Sequence, residues 1–233
     1  MATAVSADDD PRTAPGRTIL VYEAPVRLWH WVNALCITVL AVTGYLIASP
    51  PPSLHGEASA HFEMGYIRFA HFAAAQIFVV GFLFRVYWAF VGNEHARQLF
   101  ILPVWRAAWW REMIGELRWY LFLEKTPKKF IGHNPLAHFF MFVFVTIGST
   151  FMICTGFALY GEGEGAASWQ SHLFGWVIPL FGGSQAVHSW HHLGMWGIVC
   201  FVMLHVYGGV LEDIMSRQSL IGSMFSGLRT FRD

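Results

Sequence analysis

The amino-acid sequence predicts an all-α integral membrane protein, a four-helix transmembrane bundle with one further helix lying on a membrane surface. Hydrophobic residues make up 55% of the 233 residues, and the mean hydropathy is +0.44. Only 13% of the residues are charged, about half the fraction that soluble domains carry. The basic residues, moreover, are confined almost entirely to alternate loops, as expected for a chain that crosses a membrane several times.

Four apolar stretches are long enough to cross a bilayer as helices. They cover residues 28–48, 66–90, 136–160 and 187–211. Aromatic residues crowd their ends, as in an interfacial belt. Residues 19–216 are therefore predicted to form the membrane domain, between a flexible cytoplasmic tail at 1–18 and a cytoplasmic C-terminal tail at 217–233. The first tail lacks the basic and apolar regions of a signal peptide.

The Lys and Arg residues predict which loops are cytoplasmic. Thirteen of the fifteen lie in the terminal segments and the 91–135 loop, and the other two, Arg68 and Arg85, lie inside the second span. The loops 49–65 and 161–186 contain neither residue type. Under the positive-inside rule, both termini and the 91–135 loop are cytoplasmic, and the two acidic loops face outward.

Two loops have a distinctive composition. Residues 103–123 mix tryptophan and leucine with arginine and glutamate, which is typical of an amphipathic helix lying among lipid headgroups. This interpretation is favoured over a catalytic role. The outer loop 161–186 is rich in glycine, and it is predicted either to dock a partner or to serve as a plain connector.

Seven of the twelve histidines fall at membrane depth, where ionisable side chains are costly and usually functional. They are His30, His71, His138, His188, His191, His192 and His205. The predicted orientation places His30 level with His205 near the cytoplasmic boundary. It places His71 level with His191 near the outer boundary. The sequence therefore predicts two level pairs of imidazoles.

The fourth span carries one member of each pair. His191 and His205 are fourteen residues apart, which places them about 40° apart around the helix and roughly 21 Å apart along it. His188 and His192 are turned from His205 by about 100° and about 140°. The spacing assigns His191 to the pair. His188 and His192 are then expected to point elsewhere, to a propionate group of a bound cofactor, to a partner protein or to the membrane interface.

Two level pairs of imidazoles between helices suit six-coordinate haem b, which needs two axial nitrogens on opposite faces of a flat ring. Zinc needs three or four converging ligands, and no Cys or carboxylate accompanies these pairs. The three cysteines form no CxxC or CxxCH motif and are predicted to be small buried side chains. The alternative is that each histidine only bonds a neighbouring helix.

A short internal repeat occurs in the first and third spans. Residues 42–45 read Val-Thr-Gly-Tyr, and residues 154–157 read Cys-Thr-Gly-Phe. The glycines, Gly44 and Gly156, would let a flat cofactor or a neighbouring helix approach the backbone closely. Ordinary helix packing would explain either glycine alone.

Six further short motifs are distributed along the chain. They are EAPVRLWHW at 23–31, MGYIR at 64–68, YWAFVGN at 87–93, GHNP at 132–135, HSWH at 188–191 and EDIMS at 212–216. Together they resemble the membrane cytochrome b subunits of respiratory nickel-iron hydrogenases. The resemblance covers nearly the whole chain, from Tyr22 to about Met224.

The resemblance implies an electron-transport subunit of a respiratory chain, in the bacterial cytoplasmic (inner) membrane. His71 and His191 are the implied axial ligands of an outer haem, and His30 and His205 those of an inner haem. Two haem b groups are expected, as in the related formate dehydrogenase cytochrome subunit, although an isolated preparation could retain only one.

The implied partners are the small and large hydrogenase subunits on the outer face, together with membrane lipid. Nucleic acid is not expected. Hydrogen chemistry is left to the partner subunits, so no catalytic residue is assigned to this chain. A quinone is the expected substrate on the cytoplasmic side, with protons drawn from the cytoplasm.

The residues around the predicted haems suggest further roles. His133 and Asn134 are predicted to form the quinone site, because an amide can bond a quinone carbonyl. The alternative for Asn134 is a helix N-cap. Arg68 is predicted either to pair with a haem propionate or to extend to the interface. Arg85 is the equivalent candidate near the inner haem.

Three other functions remain open at this point. The chain could serve another respiratory dehydrogenase, of the formate dehydrogenase or thiosulfate reductase type, which the co-purifying subunit would reveal. It could be a haem-free membrane anchor, which would give no sharp α-band in a reduced-minus-oxidised spectrum. A metal transporter would need acidic residues within the spans, and the predicted spans contain none.

Overall fold

The computed structural model describes residues 14–52, 56–57 and 61–232, and the chain is mostly helical within them. The elements in chain order are β1 (Thr18–Leu20), α1 (Ala24–Ala48), α2 (Glu63–Val91), α3 (Ala107–Tyr120), α4 (Pro135–Met141), α5 (Gly148–Glu164), α6 (Trp169–Phe174), α7 (Val177–Leu180), α8 (Ser184–Ser216), α9 (Leu220–Ser226) and β2 (Leu228–Thr230). A short 3-10 helix follows α2 at Glu94–Arg97.

Four helices are long and apolar enough to cross a membrane. They are α1, α2, the continuous helix over Pro135–Glu164, and α8. Each contains one of the predicted apolar stretches and continues beyond it into more polar sequence. This confirms the prediction of an all-α membrane protein with four spans.

The third span has a defined start and an irregular middle. The Asn134 side chain accepts a hydrogen bond from the Ala137 backbone N–H at 2.6 Å, and Pro135 occupies the first helical turn, where its missing N–H costs nothing. A π-helical segment, Phe142–Ile147, separates α4 from α5. Such widened turns are rare and often lie near functional sites.

Helix α3 lies within the segment predicted as an interfacial helix, and its two faces differ sharply. Trp110, Ile114 and Leu117 are exposed, whereas Glu112 and Glu116 are buried. These three apolar side chains thus face away from the protein, as expected for a helix at a membrane surface, while Trp109 and Trp119 are buried on the opposite face. Less expected is that carboxyl groups face inward.

The two predicted tails pair with each other where the structure describes them. Strand β1 is antiparallel to β2, with Thr18 opposite Thr230. Arg229, in β2, is almost fully buried and donates to the Phe130 and Gly132 carbonyls at 2.8 and 2.7 Å. The described part of the first tail is therefore paired with the C-terminal segment. Residues 1–13 of the first tail lie outside the described residues.

The glycine-rich loop 161–186 folds into α6 and α7. Ser168 caps α6 by accepting from the Ser171 backbone N–H at 3.2 Å. The Ser171 hydroxyl donates to the Gly161 carbonyl at 2.9 Å, and the rings of Phe157 and Phe174 stack at 5.1 Å. This loop is therefore a packed part of the fold.

The chain divides into two compact units. Among the described residues, one comprises 14–30, 84–146 and 201–232; the other comprises 31–52, 56–57, 61–83 and 147–200. They are called the inner unit and the outer unit below, after the membrane sides that the charge distribution predicts. The inner unit has a core cluster of Trp29, Leu99, Val145 and Phe201. That of the outer unit contains Ala158, Val177 and Val187.

Candidate haem sites

The inner unit brings His30 and His205 together. His30 lies on α1 and His205 on α8, and their ring centres are 6.4 Å apart with an angle of 52° between the planes. An imidazole nitrogen lies about 2 Å from a bound transition-metal ion, so two rings on opposite sides of one iron have centres about 6 Å apart. The observed separation fits two axial ligands of one haem.

Aromatic side chains and one buried cation surround this pair. The Phe201 ring stacks on His205 at 5.7 Å. Arg85 is buried between Trp29 and Phe100, with its guanidinium carbon 5.5 and 5.3 Å from the two ring centres.

One Arg85 nitrogen donates to the Ala96 carbonyl at 2.7 Å, while Nε and Nη1 are buried without a hydrogen-bond partner among the described residues. Buried guanidinium nitrogens of this kind are suited to a carboxylate such as a haem propionate.

The outer unit brings His71 and His191 together. His71 lies on α2 and His191 on α8, within electrostatic range of each other. Each ring is held at Nδ1 by a threonine hydroxyl, Thr43 for His71 at 2.8 Å and Thr155 for His191 at 2.7 Å. Nε2 of each ring is left for another ligand.

The two remaining histidines at the start of α8 have different contacts. His188 is exposed, and its Nδ1 donates to the Ser184 carbonyl at 3.0 Å. His192 accepts a hydrogen bond at Nε2 from the Trp196 indole at 3.0 Å. Their side chains are therefore engaged within α8 itself. This agrees with the helical-angle argument that left both out of the pairs.

Of the predicted propionate partners, Arg85 is buried and Arg68 is exposed on α2. The exposure of Arg68 is compatible with either of its predicted roles, a propionate partner or a side chain that extends to the interface.

The predicted quinone residues also differ from each other. Asn134 is buried and uses both ends of its amide, because it caps α4 and donates from Nδ2 to Glu212 at 2.9 Å. His133 is half-buried and contacts the Gln98 amide oxygen through Nδ1 at 3.3 Å. Burial lowers the pKa of His133 well below its usual value, and the nearby His138 lowers it further. His133 is therefore neutral at pH 7.

Sequence reasoning missed a group of buried carboxyl groups beside these residues. Glu116 and Glu112 on α3 each have one carboxyl oxygen buried without a hydrogen-bond partner among the described residues. Burial, followed by the charge of the neighbouring Glu212, raises the pKa of Glu116 to about 8. The signal available in the sequence was the spacing of both glutamates from Trp109, three and seven residues later, which places them on the same face of α3 as that side chain.

The donor sets fit haem better than a zinc-like site. Among residues 14–52, 56–57 and 61–232, no three His, Cys, Asp or Glu side chains are grouped to hold a metal ion. The histidines instead occur as pairs, one in each unit. Paired imidazoles on apolar helices are typical of membrane b-type cytochromes.

Comparison with known proteins agrees with this class. Residues 21–227 match the family of prokaryotic cytochrome b561. A protein of Azotobacter vinelandii named as a probable Ni/Fe-hydrogenase B-type cytochrome subunit is 62% identical over 98% of this chain and 95% of its own length. Proteins with closely similar names from Cupriavidus necator and Escherichia coli are 58% and 51% identical, over 100% and 91% of this chain and the same shares of their own lengths.

The chain belongs to the prokaryotic cytochrome b561 family. It is therefore a multi-pass membrane cytochrome b, and haem b is its cofactor. This confirms the resemblance recognised in the sequence motifs, the fold class and the electron-transport function. The axial ligands, the number of haems and the quinone residues stay predictions.

Proposed function

We propose that this chain carries electrons from a nickel-iron hydrogenase outside the cytoplasmic membrane to a quinone, using two haem b groups. His71 and His191 bind the outer iron, and His30 and His205 bind the inner iron. The observation that carries the proposal is the occurrence of one imidazole pair in each unit. When bound, haem b supplies reversible one-electron chemistry at a potential that the axial ligands tune.

The hydrogenase partner is inferred from the relatives, which are named as subunits of that enzyme. From the positive-inside rule, both termini are proposed to be cytoplasmic and α6 and α7 to lie on the outer side. The segment that contains these two helices carries exposed apolar side chains, among them Trp169, Trp176 and Leu180. Exposed apolar surface of this kind suits a protein partner. The large and small hydrogenase subunits are therefore proposed to dock there.

The quinone is proposed to react in the inner unit, beside His133 and Asn134. His133 lies within electrostatic range of His205, one of the proposed inner ligands. A neutral imidazole can either donate a hydrogen bond to a quinone oxygen or accept one from a quinol hydroxyl. Asn134 is already bonded at both ends of its amide, so His133 is the stronger candidate for direct contact.

Two electrons reach the quinone together with two protons, and these are proposed to come from the cytoplasm. The buried carboxyl groups of Glu116 and Glu212 lie in the same unit as His133. A carboxyl group with a pKa of about 8, such as that of Glu116, can both release and take up a proton near neutral pH.

The proposal is tested by purifying the full chain with its co-purifying subunits. We expect the preparation to contain hydrogenase subunits and two haems per polypeptide. It should show a sharp α-band in the reduced-minus-oxidised spectrum and reduce quinone with hydrogen. A haem-free complex, or one whose partner is a different dehydrogenase, would overturn it. One haem per polypeptide in native membranes would overturn the assignment of two sites.

A further inference from the structure

The Thr-Gly repeat, residues 43–44 and 155–156, meets the two outer histidines in the same way. Thr43 lies on α1 and contacts His71 of α2, and Thr155 lies on α5 and contacts His191 of α8. The two oxygen–nitrogen distances, 2.8 and 2.7 Å, are nearly equal. Both threonines are buried, and Thr155 completely so. The repeat is thus a paired contact with the proposed ligands.

The direction of these hydrogen bonds follows from counting protons. A threonine hydroxyl has one proton to donate. The Thr43 hydroxyl donates it to the Val39 carbonyl at 2.6 Å, and the Thr155 hydroxyl donates it to the Phe151 carbonyl at 2.8 Å. Each hydroxyl oxygen therefore accepts from the histidine, whose Nδ1 must carry the ring proton. Nε2 is then left with a lone pair, the form that binds iron.

The glycines bring the backbone against the same two rings. A Cβ added at Gly44 would lie 3.3 Å from Cε1 of His71, and one added at Gly156 would lie 3.3 Å from Cε1 of His191. Cε1 joins the two ring nitrogens, so a methyl group there would press on the ring beside its iron-binding edge. The position of each ring is thus limited by the threonine hydroxyl at Nδ1 and by the closely approaching glycine backbone at Cε1.

We propose that Thr43 and Thr155 are positioning residues that fix the tautomer and the donor strength of the two outer axial ligands. The inference rests on the proposed function, in which His71 and His191 bind one iron. A hydrogen-bond acceptor on the distal nitrogen orients a metal-bound imidazole and makes it a stronger electron donor. A stronger donor favours ferric iron, so the two hydroxyl groups hold the outer haem at a lower potential.

The test uses Thr43→Val and Thr155→Val in the full chain with its partner subunits, in native membranes. Valine keeps the shape of threonine and removes the hydroxyl acceptor. The Leu40 carbonyl remains as a second acceptor for His71, so Thr155→Val should have the larger effect of the two single variants. Each variant is expected to lower the affinity for the outer haem about 10- to 100-fold. Each should also raise the midpoint potential of one of the two haem components in a spectroelectrochemical titration. The double variant should give the larger shift.

The chain offers matched controls for both residue types. Thr38 on α1 makes the same kind of hydrogen bond, to the Ala34 carbonyl at 2.9 Å, so Thr38→Val should leave both potentials unchanged. Thr155→Ser keeps the hydroxyl and should restore the native potential. Gly156→Ala should weaken haem binding, whereas Gly163→Ala on the same helix should not, because nothing lies within 4 Å of its added Cβ.

The outcome separates this inference from the proposed function. Potentials and haem retention in Thr43→Val and Thr155→Val that match those of Thr38→Val would overturn the role of the threonines. The ligand assignment is tested independently, by loss of haem from His191→Ala. If His191→Ala keeps both haems, the ligand assignment itself is wrong.

Discussion

The inner and outer units differ most in the polar groups that they bury. In the part of the chain that the structure describes, the outer unit buries only neutral polar side chains, namely Thr43, Ser149, Thr155 and Gln170. Charged or titratable side chains are buried in the inner unit, and they are Arg85, His95, Glu112, Glu116, His138, Glu212 and Arg229. Both units nevertheless hold one histidine pair.

This difference separates the requirements of electron transfer from those of proton transfer. Passing electrons needs an iron ligand pair in an apolar setting, and hydroxyl groups suffice to orient the rings. Reducing a quinone also needs protons, and buried carboxyl and imidazole groups can provide them. The costly burial of charge is confined to the unit where the quinone is proposed to react.

The largest expected effect comes from removing one ligand of each pair. His191→Ala should abolish the outer haem and His205→Ala the inner one, each leaving about one haem per polypeptide, because one imidazole cannot hold six-coordinate iron. Both variants should still insert, since the four apolar helices are unchanged. Haem per polypeptide, measured on purified protein, checks this.

His188→Ala is the matched control for His191→Ala. The two residues are on the same helix, but His188 is exposed and bonds the Ser184 carbonyl. Its removal should leave the haem content unchanged. An equal loss of haem from both variants would mean that the ligand on α8 is misassigned.

A smaller effect is expected from the two arginines of α2. Arg85→Gln should weaken retention of the inner haem, because it removes the buried guanidinium that is proposed to bind a propionate. Arg68→Gln should have less effect on the outer haem, since Arg68 is exposed and its charge is screened by solvent. Haem loss on dilution in detergent measures both. Equal haem loss from the two variants would contradict the proposal that the buried guanidinium of Arg85 binds a propionate more strongly than the exposed one of Arg68 does.

The helices and the histidine pairs could be predicted because they depend on local features of the sequence, namely hydropathy, segment length and residue spacing. The four spans follow from hydropathy and length alone. His191 is separated from His188 and His192 by helical angle, and the contacts of the latter two with Ser184 and Trp196 agree with that separation. The membrane orientation, which the distribution of Lys and Arg predicts, stays a prediction.

Contacts between distant segments could not be predicted from such patterns. The pairing of β1 with β2 joins residues more than 200 positions apart, and no local periodicity signals it. The Thr-Gly repeat was visible, but its contact with the histidines depends on helix packing. The burial of Glu116 was missed because carboxyl groups on an amphipathic helix are ordinarily assigned to its solvated face.

The protonation of Glu116 offers a more subtle test of the inner unit. Burial and the neighbouring Glu212 raise its pKa to about 8, and Glu124 adds to this effect while Lys128 opposes it. Glu116 should therefore be mainly protonated at pH 7. Infrared difference spectra should show a protonated carboxyl band that disappears as the pH rises through about 8 and is absent in Glu116→Gln. A band that persists unchanged in Glu116→Gln would contradict the assignment.

The same pKa shift predicts how stability changes with pH. Between the unperturbed pKa of 4.5 and the folded-state value of about 8, folded Glu116 holds a proton that the unfolded chain has released. Stability should therefore fall as the pH rises through this window, by at most about 1.4 kcal/mol per pH unit for one proton. Glu116→Gln should flatten the pH dependence of thermal unfolding. An unchanged dependence in the variant would mean that Glu116 is ionised over this range in the folded protein, as it is in the unfolded chain.

The smallest effect compares a helix cap from each unit. Asn134→Ala in the inner unit and Ser168→Ala in the outer unit each remove a side chain that accepts from the third backbone N–H after it, at a cost of about 1 kcal/mol. Thermal unfolding should register a loss for both, and a larger one for Asn134→Ala, because that variant also leaves the buried Glu212 carboxyl without its hydrogen bond from Asn134. Only Asn134→Ala also frees the buried Glu212 carboxyl, so only this variant should slow quinone reduction by hydrogen. If the two variants reduce quinone at the same rate, Asn134 serves only as the N-cap of α4. His133 would then be the one remaining residue proposed to contact the quinone.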